Sequence, residues 1–197
     1  MILCYTKNGK SFLWVSLKGL LMFALHEKVV YPGHGVAQVT SIVEKNVAGV
    51  TTTYYELKFL TKDVTILVPT TNAEAVGIRK LSSSDHIDDI FKILATPAKK
   101  ISHYEFTAST WNKRNKEYKL KLGRGGLKDL SEIYRDLRFI ETQKELSFGE
   151  KNLLSQTEVL IGEEISLVHK CTQEQIIKQL RTICKKSLKS PQQEQIL

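Results

Sequence analysis

Trp111 heads a run of cations. Lys113, Arg114, Lys116, Lys119, Lys121 and Arg124 follow it within "WNKRNKEYKLKLGR", and Glu117 is the single carboxylate among them. Ammonium and guanidinium groups at that density can hold the phosphates of a nucleic acid without reading its bases. An aromatic ring beside them offers an apolar surface suited to a locally unstacked base step. The spacing allows a second role. Trp111, Asn115, Tyr118 and Leu122 fall at i, i+4, i+7 and i+11, so the ring could equally head the buried stripe of a helix. Asn115 interrupts that stripe, and the residues themselves leave the two roles open.

Other residues capable of chemistry lack the company that chemistry needs. His34 in "YPGHG" has no nucleophile or carboxylate near it in sequence and reads as a turn histidine. "GRGG" at 123–126 lacks the Gly-Lys-Ser/Thr ending of a phosphate loop and follows a helical pattern, so it reads as a turn between helices. The three cysteines, Cys4, Cys171 and Cys184, give neither a disulfide framework nor a metal spacing, and His169 beside Cys171 makes only two ligands. A reducing compartment is implied. Asp88, Asp89, Glu132, Asp136, Glu163 and Glu164 read as solvated charges on the polar faces of helices. The expectation is a protein with no catalytic residue, no metal and no cofactor.

The net charge of +8 is not spread evenly. From Met22 to Ala75, four lysines face five carboxylates, whereas the excess lies in Thr110–Arg124 and around Lys185, Lys186 and Lys189. Charge gathered in this way marks a polyanion footprint.

The elements that must carry these residues fall into two kinds. Over residues 22–80 the pattern alternates and is rich in β-branched side chains, with turns at "YPGHG" and "NVAG" and a last apolar strand "VTILVP". Several short strands in so few residues predict a small barrel of the SH3 or Tudor kind. Over residues 81–186 the period changes to that of helices. "SSSDHIDDIFKIL" starts with capping residues, a basic helix runs from about Thr110 to Leu122, and Gly123, Gly125 and Gly126 stop it. Three more helices follow, one carrying Leu127 to Ile140, one entered through Ser147, and one starting at Thr172. The fold class expected is α+β, a β-barrel domain followed by an all-helical domain. Residues 187–197 read as a disordered tail. Residues 1–21 read as a non-native or unstructured extension, because their apolar stretch is too short and too interrupted for a membrane span.

The segments "MFALHEKVVYPGHGVAQV", "YYELKFL", "VTILVPTTNAEAVGIRKL", "WNKR", "SEIYRDL" and "ELSFGEKNLL" together resemble the CarD/CdnL family of bacterial transcription regulators. The first domain of that family is shared with the transcription-repair coupling factor. The resemblance implies a non-enzymatic, monomeric, cytoplasmic protein associated with the nucleoid through RNA polymerase. Its Tudor-like domain would dock on the polymerase β subunit, through Lys45, Thr65, Ile66 and Leu67. Family members can carry a basic residue where this chain has Leu67, which shifts the expected contact towards backbone strand addition. Its helical domain would reach promoter DNA at the upstream edge of the bubble, with Trp111 wedged in the minor groove independently of sequence. Lys113, Arg114 and Lys116 would hold phosphates. The connection before Trp111 is longer than the resemblance leads one to expect. A different class of function, a Tudor-like RNA-binding protein acting without polymerase, fits the same charge pattern.

Overall fold

In the computed structural model, residues 5–7, 10–12, 21–47, 49–97 and 108–189 are described. Strands β1 (Tyr5–Lys7) and β2 (Lys10–Phe12) pair with each other antiparallel and form a sheet of their own. Part of the segment before Met22 is therefore paired as strand. Leu21, at its end, packs against the core of the first domain.

Alternation from Lys28 onward builds the main sheet. Strands β3 (Lys28–Tyr31), β4 (Gly35–Val47), β5 (Val50–Phe59), β6 (Thr65–Pro69) and β7 (Arg79–Lys80) lie antiparallel in the order β6-β5-β4-β3-β7. Val29, Ala37, Val39, Leu57, Phe59 and Val68 point to one face and make its core. Tyr55 is buried there, and its hydroxyl accepts a hydrogen bond from the Phe23 N–H at 3.2 Å. A short 3₁₀ turn (Thr70–Asn72) and α1 (Ala73–Val76) lead from β6 back to β7. This is the Tudor-like part of an α+β protein. The apolar "VTILVP" is an edge strand rather than a buried one. Its alternation turns Ile66 and Val68 inward and leaves Leu67 outside, and Pro69 at its end is tolerated because an edge needs no donor there.

The helical half comprises α2 (Ser84–Ala95), α3 (Ala108–Arg124), α4 (Leu127–Gln143), α5 (Phe148–His169) and α6 (Gln173–Lys189) around one core. Ser83 caps α2, its hydroxyl accepting from the His86 N–H at 3.3 Å. Ser147 and Glu150 form a reciprocal capping box on α5. The longer connection before α3, residues 98–107, lies outside the described residues, as does 190–197 of the tail.

Three expectations are corrected here. Gly123 does not stop α3; the helix runs through it and ends at Gly125, whose φ of 65° places it in the left-handed region. The tail does not begin at Ser187, because Leu180, Cys184 and Ser187 continue one buried stripe and α6 extends to Lys189. The carboxylates divide. Asp88 and Asp89 are exposed, Glu132 and Asp136 are half-buried, and Glu163 and Glu164 are buried outright. The physical reason is that α5 has no free face over this stretch. It packs against α4, α6 and α2, and its remaining side meets β4 of the sheet.

Candidate nucleic-acid interface

Helix α3 has an inner and an outer face. Trp111, Tyr118 and Leu122 lie against the helical core, so the stripe read from the sequence exists. Tyr118 is buried and burial pushes its hydroxyl above the ordinary range. Trp111, however, is half-buried. Its Cζ2 lies 3.4 Å from where a methyl group at Gly149 would stand, so the ring rests on the first turn of α5 while part of it meets solvent. The ring is thus neither fully enclosed nor free: it packs against the helical core and the first turn of α5, and the rest of it stays open to solvent.

The basic residues behave differently from one another. Lys113, Lys116 and Lys119 are exposed. Lys121 turns aside to Glu132, with Nζ 2.5 Å from the carboxylate, and holds that group below its usual range. Arg114 faces inward: its side chain is 15 % exposed, and its Nη2 lies 3.6 Å from Oε1 of the buried Glu150. Glu150 also accepts from Lys144 Nζ at 2.8 Å and from the Ser147 N–H at 2.9 Å. Burial pushes Glu150 up, yet these donors more than offset it and the carboxyl stays below the ordinary range. Arg114 is thus part of the joint that seats Trp111 on α5, unlike its lysine neighbours.

Two exposed apolar side chains escaped the sequence reading. Phe148, the first residue of α5, is 81 % exposed beside the glycine that touches Trp111. Leu120 is 67 % exposed on α3. Phe148 has a signal in retrospect, since a phenylalanine directly after an N-cap serine precedes any stripe that could bury it.

The residues expected at a polymerase contact lie on the sheet. Cross-strand partners share a face, so the register Lys45↔Thr52, Glu56↔Leu67 and Lys58↔Thr65 puts Lys45, Thr65 and Leu67 on the outer face. Leu67 is 39 % exposed there. Ile66 stands opposite the buried Leu57 and packs on the core, and its side chain is half-buried. Strand β6 is the edge of the sheet. Between Leu67 and Lys45 the Glu56 carboxylate accepts from Ser41 and Thr40 hydroxyls at 2.6 and 3.0 Å, which keeps it charged below its ordinary value.

Among the described residues no cluster of three or more His, Cys, Asp or Glu side chains could hold a metal ion. No described helix is long and apolar enough to cross a membrane.

Comparison with known proteins matches both halves. Residues 23–82 match the CarD-like/TRCF RID domain, and residues 89–181 match the C-terminal domain of CarD. The chain belongs to the CarD family. The chain is 26 % identical over 159 residues to a protein of Bacillus subtilis (strain 168) named "Putative transcription factor YdeB", covering 79 % of this chain and 97 % of that protein. The solution structure of the 72-residue N-terminal domain of Myxococcus xanthus CarD is 35 % identical, covering 30 % of this chain and 80 % of that one, with a TM-score of 0.27. The basic helix α3 and its tryptophan fall within the CarD C-terminal match, and the edge strand β6 falls within the other.

Proposed function

We propose that this protein is a non-catalytic transcription regulator that docks on RNA polymerase through its sheet and steadies the open promoter complex through α3. The observation that carries the reading is the half-buried Trp111, seated on α5 by one edge and flanked in solvent by Lys113 and Lys116. In this reading Lys113 and Lys116 hold phosphates at the upstream fork, and the free edge of Trp111 enters the minor groove where stacking is already broken. Arg114 adds positive charge behind the ring while staying with Glu150. Phe148 extends the apolar contact. Docking on the polymerase β subunit uses the backbone of β6, with Leu67 and Lys45 on the adjoining outer face.

Stabilisation requires a difference between two states. DNA that is melted at the fork accepts the wedge, and closed duplex does not, so only the open complex gains the contact. A tenfold longer open-complex lifetime corresponds to about 1.4 kcal/mol. That is a modest demand for one aromatic side chain meeting unstacked bases. The test is to compare the wild-type protein with Trp111→Ala for polymerase retention and for open-complex lifetime. Retained binding with a several-fold shorter lifetime supports the reading. An undiminished lifetime rejects it.

A further inference from the structure

The two glycine motifs that matched no chemistry, "YPGHG" and "GRGG", meet each other in the fold. Gly125 lies so close to Pro32 that a Cβ added to it would stand 2.8 Å from the Pro32 Cα, and its φ of 65° admits few other residues. The Gly33 carbonyl accepts from Gln156 Nε2 at 3.2 Å. Gly35, with φ of 110°, leaves the space its side chain would fill to the Glu163 carboxylate. The turn between β3 and β4 is therefore a socket for α5 and for the end of α3.

One side chain closes that socket. Arg79, on the last strand of the sheet, places Nη1 and Nη2 on the two oxygens of Glu164 at 2.7 Å each. Its Nε and Nη2 also donate to the Gly125 carbonyl at 3.1 and 2.8 Å. Ser82 completes the site, its N–H and hydroxyl donating to Glu164 Oε1 at 2.9 and 2.8 Å. Glu164 is only 1 % exposed. A planar fork that meets a carboxylate on one side and a carbonyl on the other is work for a guanidinium and not for an ammonium.

We propose that Arg79 is a positioning residue, which fixes the reach of Trp111 from the docking edge of the sheet by pinning the end of α3 and the middle of α5 to β7. This rests on the function proposed above. The geometry explains why such a pin matters. Trp111 lies fourteen residues from Gly125 along α3, a lever of roughly 20 Å at the helical rise of about 1.5 Å per residue. A tilt of about 10° at Gly125 would move the ring by roughly 3.5 Å, about one base step along a strand. A wedge that must meet one step of the fork needs the pivot held more tightly than that.

The test uses the full chain with Arg79→Lys and Arg79→Ala. Non-cysteine spin labels at positions 51 and 119 report the distance between the hairpin tip of the sheet and α3. A photoreactive residue at position 119 reports where α3 meets promoter DNA in the polymerase complex. The expected result is a single narrow distance in the wild-type protein and a broadened one in both variants. Cross-links spread over neighbouring nucleotides, and the open-complex lifetime falls several-fold while polymerase is still retained. Arg79→Lys keeps the charge, and a cooperative thermal melt recorded on the same sample separates its broadening from unfolding. Unchanged distances in both variants would overturn the inference. So would unchanged cross-links and lifetime in a background where Trp111→Ala shortens the lifetime, and in that case the role of Trp111 stands. If Trp111→Ala also has no effect, the proposed function falls and the inference falls with it.

Discussion

Helix α3 holds Lys113, Lys116 and Lys119 in solvent, whereas α5 carries Glu150, Glu158, Glu163 and Glu164 inside the protein. The difference lies in what surrounds each helix. α3 rests on its neighbours by one face, so its cations keep their hydration and can be lent to an outside polyanion. α5 is enclosed, and each of its carboxylates is answered from a different element. Glu150 meets Lys144 and Arg114, Glu158 meets Arg181 and the Tyr134 hydroxyl, and Glu164 meets Arg79. Glu163 is held by the Thr61 hydroxyl at 3.2 Å and by the Val36 N–H. Charge on α5 joins the molecule together, and so do Arg114 and Lys121 of α3, whereas Lys113, Lys116 and Lys119 of α3 stay in solvent.

The largest effect expected from that contrast is on stability. Glu164→Ala removes the acceptor of Arg79 and Ser82 from a site that is fully buried on the carboxylate side. Breaking a buried pair by removing one partner costs about 3–5 kcal/mol, and the lower end applies because Arg79 keeps some contact with solvent. Chemical denaturation should register a loss of about 3 kcal/mol. A loss no greater than that of an average surface substitution would mean that α5 is not the joint described.

Trp111→Ala comes next. Complete burial of a tryptophan would make truncation cost about 3–5 kcal/mol, but the ring is only half-buried, so a loss of about 1–2 kcal/mol is expected. The folded variant should show the shortened open-complex lifetime described above. A drop in stability at the top of the fully buried range would move Trp111 from the lent group to the joining group.

How far the sequence reaches can be judged at these residues. The strands, the Ser83 and Ser147 caps and the inner stripe of α3 were legible because each is written in local spacing, and the same holds for the basic outer face. Glu163 and Glu164 were not. Two adjacent carboxylates beside an apolar stripe look solvated until Arg79 reaches Glu164 from 85 positions away and Thr61 reaches Glu163 from 102. The ion pair of Arg114 was hidden for the same reason: nothing local distinguishes it from Lys113 and Lys116, and its partner Glu150 lies on another helix. Phe148 sat in a matched motif, yet its exposure depends on the packing of the α5 N-terminus.

pH offers a finer division within α5 itself. Burial pushes the Glu163 carboxyl above its ordinary range, against the weaker pull of the Val36 N–H and the Thr61 hydroxyl. Its folded form therefore favours the proton. The associated stability is complete below the unfolded pKa, about 4.3, and is lost as pH rises through the folded value. Glu158 runs the other way. Burial alone would raise it, but Arg181 and Tyr134 hold it below its ordinary value, so its contribution is present at neutral pH and lost as pH falls through the folded pKa. Glu163→Gln should match the wild-type protein near pH 4 and become progressively more stable than it towards pH 7. A constant difference across that range would show that Glu163 is solvated after all.

The smallest effect on stability, and the sharpest on binding, belongs to α3. Lys113→Ala and Lys116→Ala combined should leave the melting temperature unchanged, since both side chains are exposed. The slope of log affinity for forked DNA against log salt should fall by about two units, roughly one for each phosphate no longer held. Arg114→Ala is the informative partner. If its guanidinium stays with Glu150, 3.6 Å away, its removal should lower the melting temperature and leave the salt slope nearly unchanged. The opposite pattern, a reduced slope and an intact melt, would mean that Arg114 leaves Glu150 to hold a phosphate, and that the boundary between joining charge and lent charge runs behind it rather than in front.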